Sequence, residues 1–380
     1  MSTDTRTSEE GSSPPEADPG GAVAAKARSI GQALIFPTIA IVLSFLVGAV
    51  IIVLSGQDVV TAYGALLRGG FGSTRSLGNT IVNATPLIFT GLAVAVPFRA
   101  GLFNIGGEGQ FFLGAIAAVW AAQTLSGPGW LAIVVAIFMG GLAGWLWGAL
   151  PGVLKIFGAH EVITTIMLNF VAINLTYYIA DNPLKGEGFV PGTDAVVASR
   201  RLAQVGFGFG RAHFGFLLGL AAAVVVYLLI WRTTKGYEIR TVGSAPGAAK
   251  YAGIPVAATG MLAIALGGMF AGLGGAGEAL GTFGKVSVPF ITGLGFNGIG
   301  VALLGRNHPG GVVLGALFFG GLEAGAQEMQ FVADVSLSLA DVLLAIVLLF
   351  VTATRLVELI IGKRARALTA GTKLEKGLAD

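Results

Sequence analysis

The sequence predicts an all-α protein that crosses a lipid bilayer several times. Of its 380 residues, 54% are hydrophobic and only 11% are charged, and the mean hydropathy is +0.81. An average soluble protein carries about 25% charged residues, so this composition argues against a soluble enzyme. The 60 glycines follow no Gly-x-y period, which excludes collagen and favours closely packed, interrupted membrane helices. Cysteine is absent, which excludes a disulfide-stapled scaffold.

Ten apolar segments approach the length of about 20 residues that a helix needs to cross a bilayer. The predicted spans cover residues 34–55, 79–98, 102–123, 130–154, 162–180, 214–231, 256–279, 289–305, 310–328 and 339–361. The third and eighth are polar, glycine-rich or short, so each is either a full span or a re-entrant helix. We therefore expect about ten transmembrane or re-entrant helices.

The distribution of Lys and Arg predicts the orientation of these spans. With the N-terminus inside, 16 of the 23 basic residues lie in cytoplasmic segments and 7 in external segments. Because basic residues accumulate on the cytoplasmic side, both termini are expected there. Residues 1–30 are rich in Pro, Gly, Ser and acidic residues, which predicts a disordered cytoplasmic tail. Residues 31–362 form the predicted transmembrane domain, and residues 363–380 form a second cytoplasmic tail.

Several classes of function lack their characteristic residues. His160, His213 and His308 are scattered along the chain, so no metal site is predicted. No G-x-x-x-x-G-K-[ST] motif occurs, so the chain is not expected to hydrolyse ATP through a P-loop. We predict neither enzymatic activity nor a cofactor, and active transport would need an ion gradient or a separate ATPase. The basic pI of about 9.2 follows from the cytoplasmic bias of basic residues and requires no nucleic-acid partner.

A glycine-rich polar turn, residues 101–115, is the first candidate for a solute pathway. It places Asn104, Glu108 and Gln110 among glycines inside or beside the membrane. Non-helical backbone survives at membrane depth only where it is buried in protein or lines a cavity, so a re-entrant helix lining the pathway is predicted. The alternative is a short cytoplasmic turn with a solvated Glu108. Asn169, in the fifth span, is another pathway candidate or a partner in a helix-to-helix hydrogen bond.

A second turn, residues 281–300, contains a counterpart of the first, because each carries a Phe-Asn pair followed closely by glycine. Paired interrupted segments in two parts of a transporter point to its binding site. Aromatic rings here can stack on a planar or ring-shaped solute, or pack against lipid and core. The pathway candidates in the two Phe-Asn pairs, with one further phenylalanine, are Phe103, Asn104, Phe296, Asn297 and Phe283.

Three other acidic residues, Glu278, Glu323 and Asp341, fall within predicted spans. Each either relays a proton, as in a proton-coupled secondary transporter, or has a structural role at a span end or beside a basic group. A run of small residues, 267–277, predicts close packing between helices.

Three loops are candidate surfaces for partners. Residues 158–169 and 235–253 are cytoplasmic in the predicted orientation, and each can lay a helix across the inner face. They form either a docking surface for a separate ATPase or ordinary connections with interfacial helices. Ser244 and Pro246 predict the start of a short helix in the second of these loops. The longest external loop, residues 183–213, carries four basic residues and can face an extracytoplasmic partner.

Five stretches resemble the membrane permeases of bacterial ABC importers of the ribose, simple-sugar and branched-chain amino acid type, in particular those of nucleoside importers. They are GLFNIGGEGQFFLGA (101–115), HEVITTIMLNF (160–170), TTKGYEIRTVGSAPGAAKYAGI (233–254), AGLGGAGEALGTFGKVSV (271–288) and GFNGIGVALLG (295–305). The resemblance implies a plasma-membrane permease that imports nucleosides. A simple-sugar permease is the alternative within the same family.

The resemblance also implies partners. These are an ABC ATPase subunit, a second permease paralogue that completes a heterodimer, and an extracytoplasmic substrate-binding lipoprotein that meets residues 183–213. The stretch GYEIRTVGSAPGAAKYAG resembles the coupling segment that enters a cleft of the ATPase, and HEVITT resembles a second contact. The implied ATPase contacts are His160, Glu161, Thr164, Tyr237, Glu238, Arg240 and Ala248.

Overall fold

The computed structural model describes residues 38–39, 41–290 and 293–352, so the predicted tails 1–30 and 363–380 lie outside the described residues. In chain order the helices are α1 (Ile41–Leu54), α2 (Val59–Phe71), α3 (Thr74–Arg99), α4 (Gly107–Thr124), α5 (Gly129–Ile156), α6 (Glu161–Asp181), α7 (Gly215–Arg232), α8 (Thr234–Ser244), α9 (Pro246–Tyr251), α10 (Val256–Glu278), α11 (Leu294–Leu304), α12 (Pro309–Ala333) and α13 (Leu337–Thr352). Within the described ranges, extended segments pair only in three isolated bridges. The predicted all-α class is confirmed for this part of the chain.

Among the described residues, six helices are long and apolar enough to cross a membrane: α3, α5, α6, α7, α12, and α10 with the π-turn that follows it. Each coincides with a predicted span. The remaining four predicted spans coincide with α1, α4, α11 and α13. Helix α4 begins at Gly107 rather than at residue 102, and α11 begins at Leu294 rather than at residue 289, because non-helical backbone precedes both.

Helix α2 is a difference from the sequence prediction, which left residues 56–78 as a loop. Its start is fixed by Asp58, whose carboxylate accepts a hydrogen bond from the backbone N–H of Thr61 at 2.6 Å. The helix buries its small residues against α12, where a Cβ on Gly70 would press against the backbone carbonyl of Gly321. Tertiary packing therefore stabilises a helix that is too short to be recognised as a span.

The centre of the bundle is formed by α3, α4 and α10, and glycine allows the helices to approach closely there. Where α5 crosses α10, a Cβ on Gly144 would collide with the carbonyl of Gly268, and a Cβ on Gly272 would collide with that of Gly140. Small residues at such crossings bring helix backbones into van der Waals contact. The predicted packing role of residues 267–277 is confirmed.

Candidate functional site

The two glycine-rich turns meet at Glu108. This residue lies in the first turn of α4, and its side chain reaches the start of α11. Glu108 Oε1 accepts a hydrogen bond from the backbone N–H of Gly293, and Oε2 accepts one from Gly295, both at 2.6 Å. Glu108 is only 2% exposed. A buried carboxylate thus caps the N-terminus of α11, where the unpaired N–H groups and the helix dipole favour negative charge.

The approach of the turns depends on glycine. Gly293 has a φ of +93°, which glycine adopts without a steric penalty. A Cβ on Gly295 would collide with the backbone N of Glu108. Two helix starts can therefore meet only because residue 295 lacks a side chain.

The first turn is held by a pair of buried amides. Asn104 Nδ2 donates to Gln110 Oε1 at 3.0 Å, and Gln110 Nε2 donates to Asn104 Oδ1 at 3.2 Å. Asn104 Oδ1 also accepts from the Gly106 N–H, and Asn104 Nδ2 also donates to the Ala93 carbonyl of α3. These bonds hold residues 101–106 in a non-helical path beside α3.

Asn169 fastens the same turn from α6. Its Oδ1 accepts from the Gly109 N–H at 2.8 Å, and its Nδ2 donates to the Ile105 carbonyl at 2.8 Å. One buried amide thus satisfies a donor and an acceptor of the interrupted backbone, as buried polar groups require. The helix-to-helix hydrogen bond considered for Asn169 is present.

The depth of the junction follows from the length of α11. Its 11 residues span about 16 Å, roughly half of a hydrocarbon core of about 30 Å. Arg306 and Asn307 follow this helix and accept hydrogen bonds at their carbonyls from Arg99, at the end of α3. The Glu108 junction is therefore separated from that end of the bundle by the full length of α11, about 16 Å.

The second turn presents aromatic rings. Phe290 packs edge-on against Phe112 and Phe283, with centroid distances of 5.6 and 5.5 Å, and its N–H donates to Tyr177 Oη at 3.2 Å. Phe283 is 42% exposed and Phe296 is 45% exposed. The outer parts of the second turn thus form an open aromatic surface backed by a buried aromatic cluster.

The predicted pathway residues therefore differ in their surroundings. Asn104, Glu108, Gln110 and Asn169 are buried and bond to backbone or to one another. Phe283, Phe296 and Asn297 are exposed, while Phe103 is half-buried, with its ring 5.3 Å from that of Phe98. Sequence reasoning missed Phe290 and Tyr177. The Pro289-Phe290 pair within the second turn was a usable signal, but nothing local marks Tyr177.

A strap, residues 191–202, runs along residues 280–288 of the second turn. The N–H groups of Thr193, Val196 and Leu202 donate to the carbonyls of Val286, Gly284 and Leu280, at 2.9, 2.8 and 3.1 Å. The predicted external loop is therefore attached by backbone hydrogen bonds to the segment that leads into α11.

His213 anchors the π-turn at the end of α10. Its Nδ1 accepts from the Gly215 N–H at 3.1 Å, so its Nε2 carries the proton and donates to Thr282 Oγ1 at 3.2 Å. The Thr282 hydroxyl also lies near the carboxyl group of Glu278. Burial lowers the pKa of His213 to about 4, so the ring is neutral at physiological pH.

The three remaining acidic residues lie on helices that pack near one another. The charge of Glu323 acts on Glu278, and the charge of Asp341 acts on Glu323. One oxygen of Glu278 is buried without a hydrogen-bond partner among the described residues. No group of three metal-ligating side chains occurs in the described part of the chain. A proton-relay role for these acids stays a prediction.

The predicted ATPase contacts lie on two segments. Helices α8 and α9 form one segment, and the start of α6 forms the other. A cavity of about 460 Å³ lies between α8–α9 and the end of α5, with Gly101, Lys155 and Gly243 among the residues in its wall. The short helix predicted from Ser244 and Pro246 is present as α9.

Exposure distinguishes the residues of these two segments. Tyr237 is 59% exposed, and Ala248 and His160 are also exposed. Two of the acidic residues form ion pairs: Glu161 with Lys155 at 2.6 Å, and Glu238 with Lys235 at 2.9 Å. The Thr164 hydroxyl donates hydrogen bonds to the backbone carbonyls of His160 and Glu161. Arg240 is half-buried. Tyr251, which is 97% exposed at the end of α9, was not among the predicted contacts.

The chain is similar in sequence to a family of transport proteins and to individual permeases. The family model described as "Branched-chain amino acid transport system / permease component" matches residues 76–352. The chain is 43% identical to the guanosine ABC transporter permease protein NupP of Bacillus subtilis, over 87% of this chain and 96% of NupP. It is 34% identical to the glucose ABC transporter permease protein TsgB13 of Haloferax volcanii, over 83% of this chain and 86% of TsgB13.

A second Bacillus subtilis protein, the guanosine ABC transporter permease protein NupQ, is 28% identical over 63% of this chain and 78% of NupQ. No solved structure matches the chain. The family match covers the described bundle from α3 to α13 and includes both interrupted helix starts. The chain therefore belongs to the family of permease components of branched-chain amino acid transport systems, whose relatives here are ABC transporter permeases.

Proposed function

We propose that this chain is the permease subunit of an ATP-driven importer that carries nucleosides across the plasma membrane. The observation that carries the proposal is the 43% identity to NupP, which extends over 96% of that guanosine permease. ATP would be hydrolysed by a separate ABC ATPase subunit.

In this proposal the second turn contacts the solute, and the first turn holds the second turn in position. The exposed rings of Phe283 and Phe296 offer faces on which a flat nucleobase can stack. The exposed amide of Asn297 can both donate to and accept from the edge of a base. Asn104, Glu108, Gln110 and Asn169 act by fixing the non-helical backbone, and Phe103 lines the approach from α3.

The proposed topology has about ten transmembrane or re-entrant helices with both termini in the cytoplasm. The excess of basic residues in the cytoplasmic segments supports this orientation. Residues 31–362 form the permease domain, and residues 1–30 and 363–380 form cytoplasmic tails. Helices α4 and α11 are then the membrane-embedded halves that follow the two interrupted turns.

The ATPase subunit is proposed to dock on α8–α9, with the start of α6 as a second contact. Tyr237 and Ala248 are exposed there, and the cavity beside Gly243 leaves room for the segment to shift. Closure of the ATPase on ATP would push this segment and change which side of the membrane the pathway faces. His160, Glu161, Thr164, Glu238 and Arg240 complete the proposed contact surface.

A second permease and an extracytoplasmic binding lipoprotein complete the proposed importer. The relatives include two different guanosine permeases of one organism, NupP and NupQ, which supports a heterodimer of permeases. The binding protein would rest on residues 183–213, because the strap within this loop is bonded to the second turn.

Transport assays in proteoliposomes test the proposal and its alternatives. The permease would be reconstituted with its ATPase, partner permease and binding protein, and uptake of labelled guanosine would be compared with uptake of labelled glucose. We expect ATP-dependent uptake of guanosine. Glucose uptake alone would favour the sugar permease that the 34% identity to TsgB13 suggests. Uptake driven by a proton gradient without the ATPase would favour a secondary transporter that uses Glu108, Glu278 or Asp341.

A tyrosine variant tests the docking surface. Tyr237→Ala removes an exposed ring from α8, and Tyr178→Ala removes a similarly exposed ring from α6 as the matched control. We expect the first variant alone to weaken binding of the ATPase subunit and to lower uptake at normal membrane insertion. Equal behaviour of the two variants would refute the docking assignment.

A further inference from the structure

Arg99 and Arg240 lie near each other at the end of the bundle where α3 stops, and the backbone carbonyl of Arg306 contacts Arg99. Arg99 ends α3, Arg240 lies in α8, and Arg306 lies in the turn between α11 and α12. The three ion pairs found among the described residues join other side chains. The described part of the chain therefore gives this positive cluster no acidic partner.

The position of Arg99 is fixed by its neighbours. Its Nε and one terminal nitrogen donate to the Asn307 carbonyl at 3.1 and 2.8 Å, and the same terminal nitrogen donates to the Arg306 carbonyl at 3.3 Å. The guanidinium lies 5.1 Å from the centre of the Trp231 ring, a cation–π distance. The charge is therefore held at a defined place beside α7.

Arg240 makes this arrangement unfavourable in the absence of an anion. Gly243, one turn after Arg240 in α8, packs against the backbone carbonyl of Arg99, and this brings the two arginines close enough for their positive charges to repel. Its Nε is buried and has no hydrogen-bond partner among the described residues. Burying an unpaired charged donor is costly, and so is the repulsion between like charges. An anion that bridges the two guanidinium groups would remove both costs.

The surroundings of the cluster indicate where the anion comes from. Tyr227 and Trp231 stack on α7 with ring centres 5.5 Å apart, and Tyr227 is exposed. Helix α7 is apolar and mostly unburied by the protein, so its outer face suits contact with lipid. Tyr and Trp concentrate where membrane helices reach the lipid headgroups. The basic cluster lies beside such an aromatic pair, at headgroup level rather than in a solute pathway.

We propose that Arg99 and Arg240 bind the phosphate of an anionic lipid. Arginine suits this role because its planar group can bind two phosphate oxygens at once. The cluster lies in the inner leaflet if the proposed orientation holds, but binding itself does not depend on that orientation. Since Arg240 belongs to the proposed coupling segment, the lipid would also neutralise a charge at the base of that segment.

Lipid binding to the purified full-length protein tests the site without ATP or nucleoside. Native mass spectrometry and thermal melting in neutral detergent would compare palmitoyl-oleoyl phosphatidylglycerol, the corresponding phosphatidylcholine and inorganic phosphate. We expect retention and stabilisation by phosphatidylglycerol alone. Arg240→Gln and, separately, Arg99→Gln should each weaken this binding about fivefold, the factor expected for one basic residue near an anionic surface. Arg75→Gln, near the opposite end of α3, should leave it unchanged.

Each other result overturns the proposal. Unchanged phosphatidylglycerol binding in both variants would show that the cluster does not hold the lipid. Equal stabilisation by inorganic phosphate would assign the site to a free anion. If the variants instead weaken binding of the ATPase subunit and spare lipid binding, an acidic group of the ATPase is the partner. Because the assay does not measure transport, failure of the import proposal leaves this result untouched.

Discussion

The two interrupted turns differ in what holds them. The turn before α4 is fixed by side chains, because Asn104 and Asn169 bond its backbone and Gln110 pairs with the Asn104 amide. The turn before α11 is fixed mainly through its own backbone, which bonds Glu108 on one side and the strap, residues 191–202, on the other. Its phenylalanines are consequently left free to face outward. The first turn therefore has a structural role. The second turn exposes its phenylalanine rings, and its position depends on the first turn.

The largest effect is expected where the two turns join. Glu108→Gln keeps the shape of the side chain but replaces one acceptor oxygen with an amide that faces an N–H group. Two buried hydrogen bonds to a charged group are weakened or lost, so we expect a loss of about 3 kcal/mol in unfolding free energy. Thermal melting in detergent would measure it, with Glu187→Gln, an exposed loop acid, as the control. Equal melting of the two variants would contradict the capping role.

Acid should loosen the second turn more than the first, because His213 anchors the second. Burial lowers the pKa of His213 from 6.5 to about 4 in the folded protein. Between about pH 4 and pH 6.5 the ring is therefore protonated in the unfolded chain and neutral in the folded protein. Stability is therefore complete above pH 6.5 and falls as the pH drops toward 4. Between pH 7.5 and 5 the expected loss is about 2 kcal/mol.

Melting curves at both pH values would measure this loss. In His213→Gln the part of the acid sensitivity due to this ring should disappear, whereas His160→Gln, at an exposed histidine, should retain it. A pH dependence identical in all three proteins would rule out His213 as the acid-sensitive anchor.

Much of this comparison was visible in the sequence. Glycines beside Asn104 and Glu108 within an apolar chain predicted non-helical backbone, since polar groups inside a membrane are costly and usually have a functional role. The pairing of the two Phe-Asn segments also predicted that the two turns belong together. What the sequence could not supply was the partner of each polar group. Glu108 bonds residues 185 and 187 positions away, and no local pattern encodes such a contact.

The same reason explains the features that were missed. Tyr177 supports Phe290 across 113 residues, and α2 is stabilised by packing on α12 rather than by its own apolar length. Conversely, spans such as α5 and α7 were predicted well, because crossing a bilayer leaves a direct signature in composition. The membrane spans were predictable because the bilayer requires an apolar composition. The contacts of Tyr177 and the helix α2 were not, because they depend on residues that are distant in the sequence.

Close approach of the turns can be tested by adding one methyl group. Gly295→Ala places a Cβ against the backbone of Glu108, whereas a Cβ on Gly277 in α10 meets open space. Overpacking of this kind typically destabilises by about 2 kcal/mol, and alanine in an unobstructed helix position can stabilise by up to about 1 kcal/mol. We expect the two glycine-to-alanine variants to shift the melting temperature in opposite directions. A shift of the same sign in both would mean that contact at residue 295 does not limit the junction.

A pair of asparagines, one in each part of the site, gives the last test, and Asn297 in the second turn has the smallest expected effect on stability. Asn169→Leu removes two buried backbone hydrogen bonds and should destabilise by about 2 kcal/mol. Asn297→Leu alters an exposed side chain of the second turn, so its unfolding free energy should change by less than about 0.5 kcal/mol. Guanosine uptake by the folded Asn297→Leu protein should nevertheless fall about tenfold, the equivalent of one hydrogen bond to the solute. If Asn297→Leu transports normally, the second turn presents its surface to something other than the solute, and its phenylalanines must then be assigned to the partner permease or to lipid.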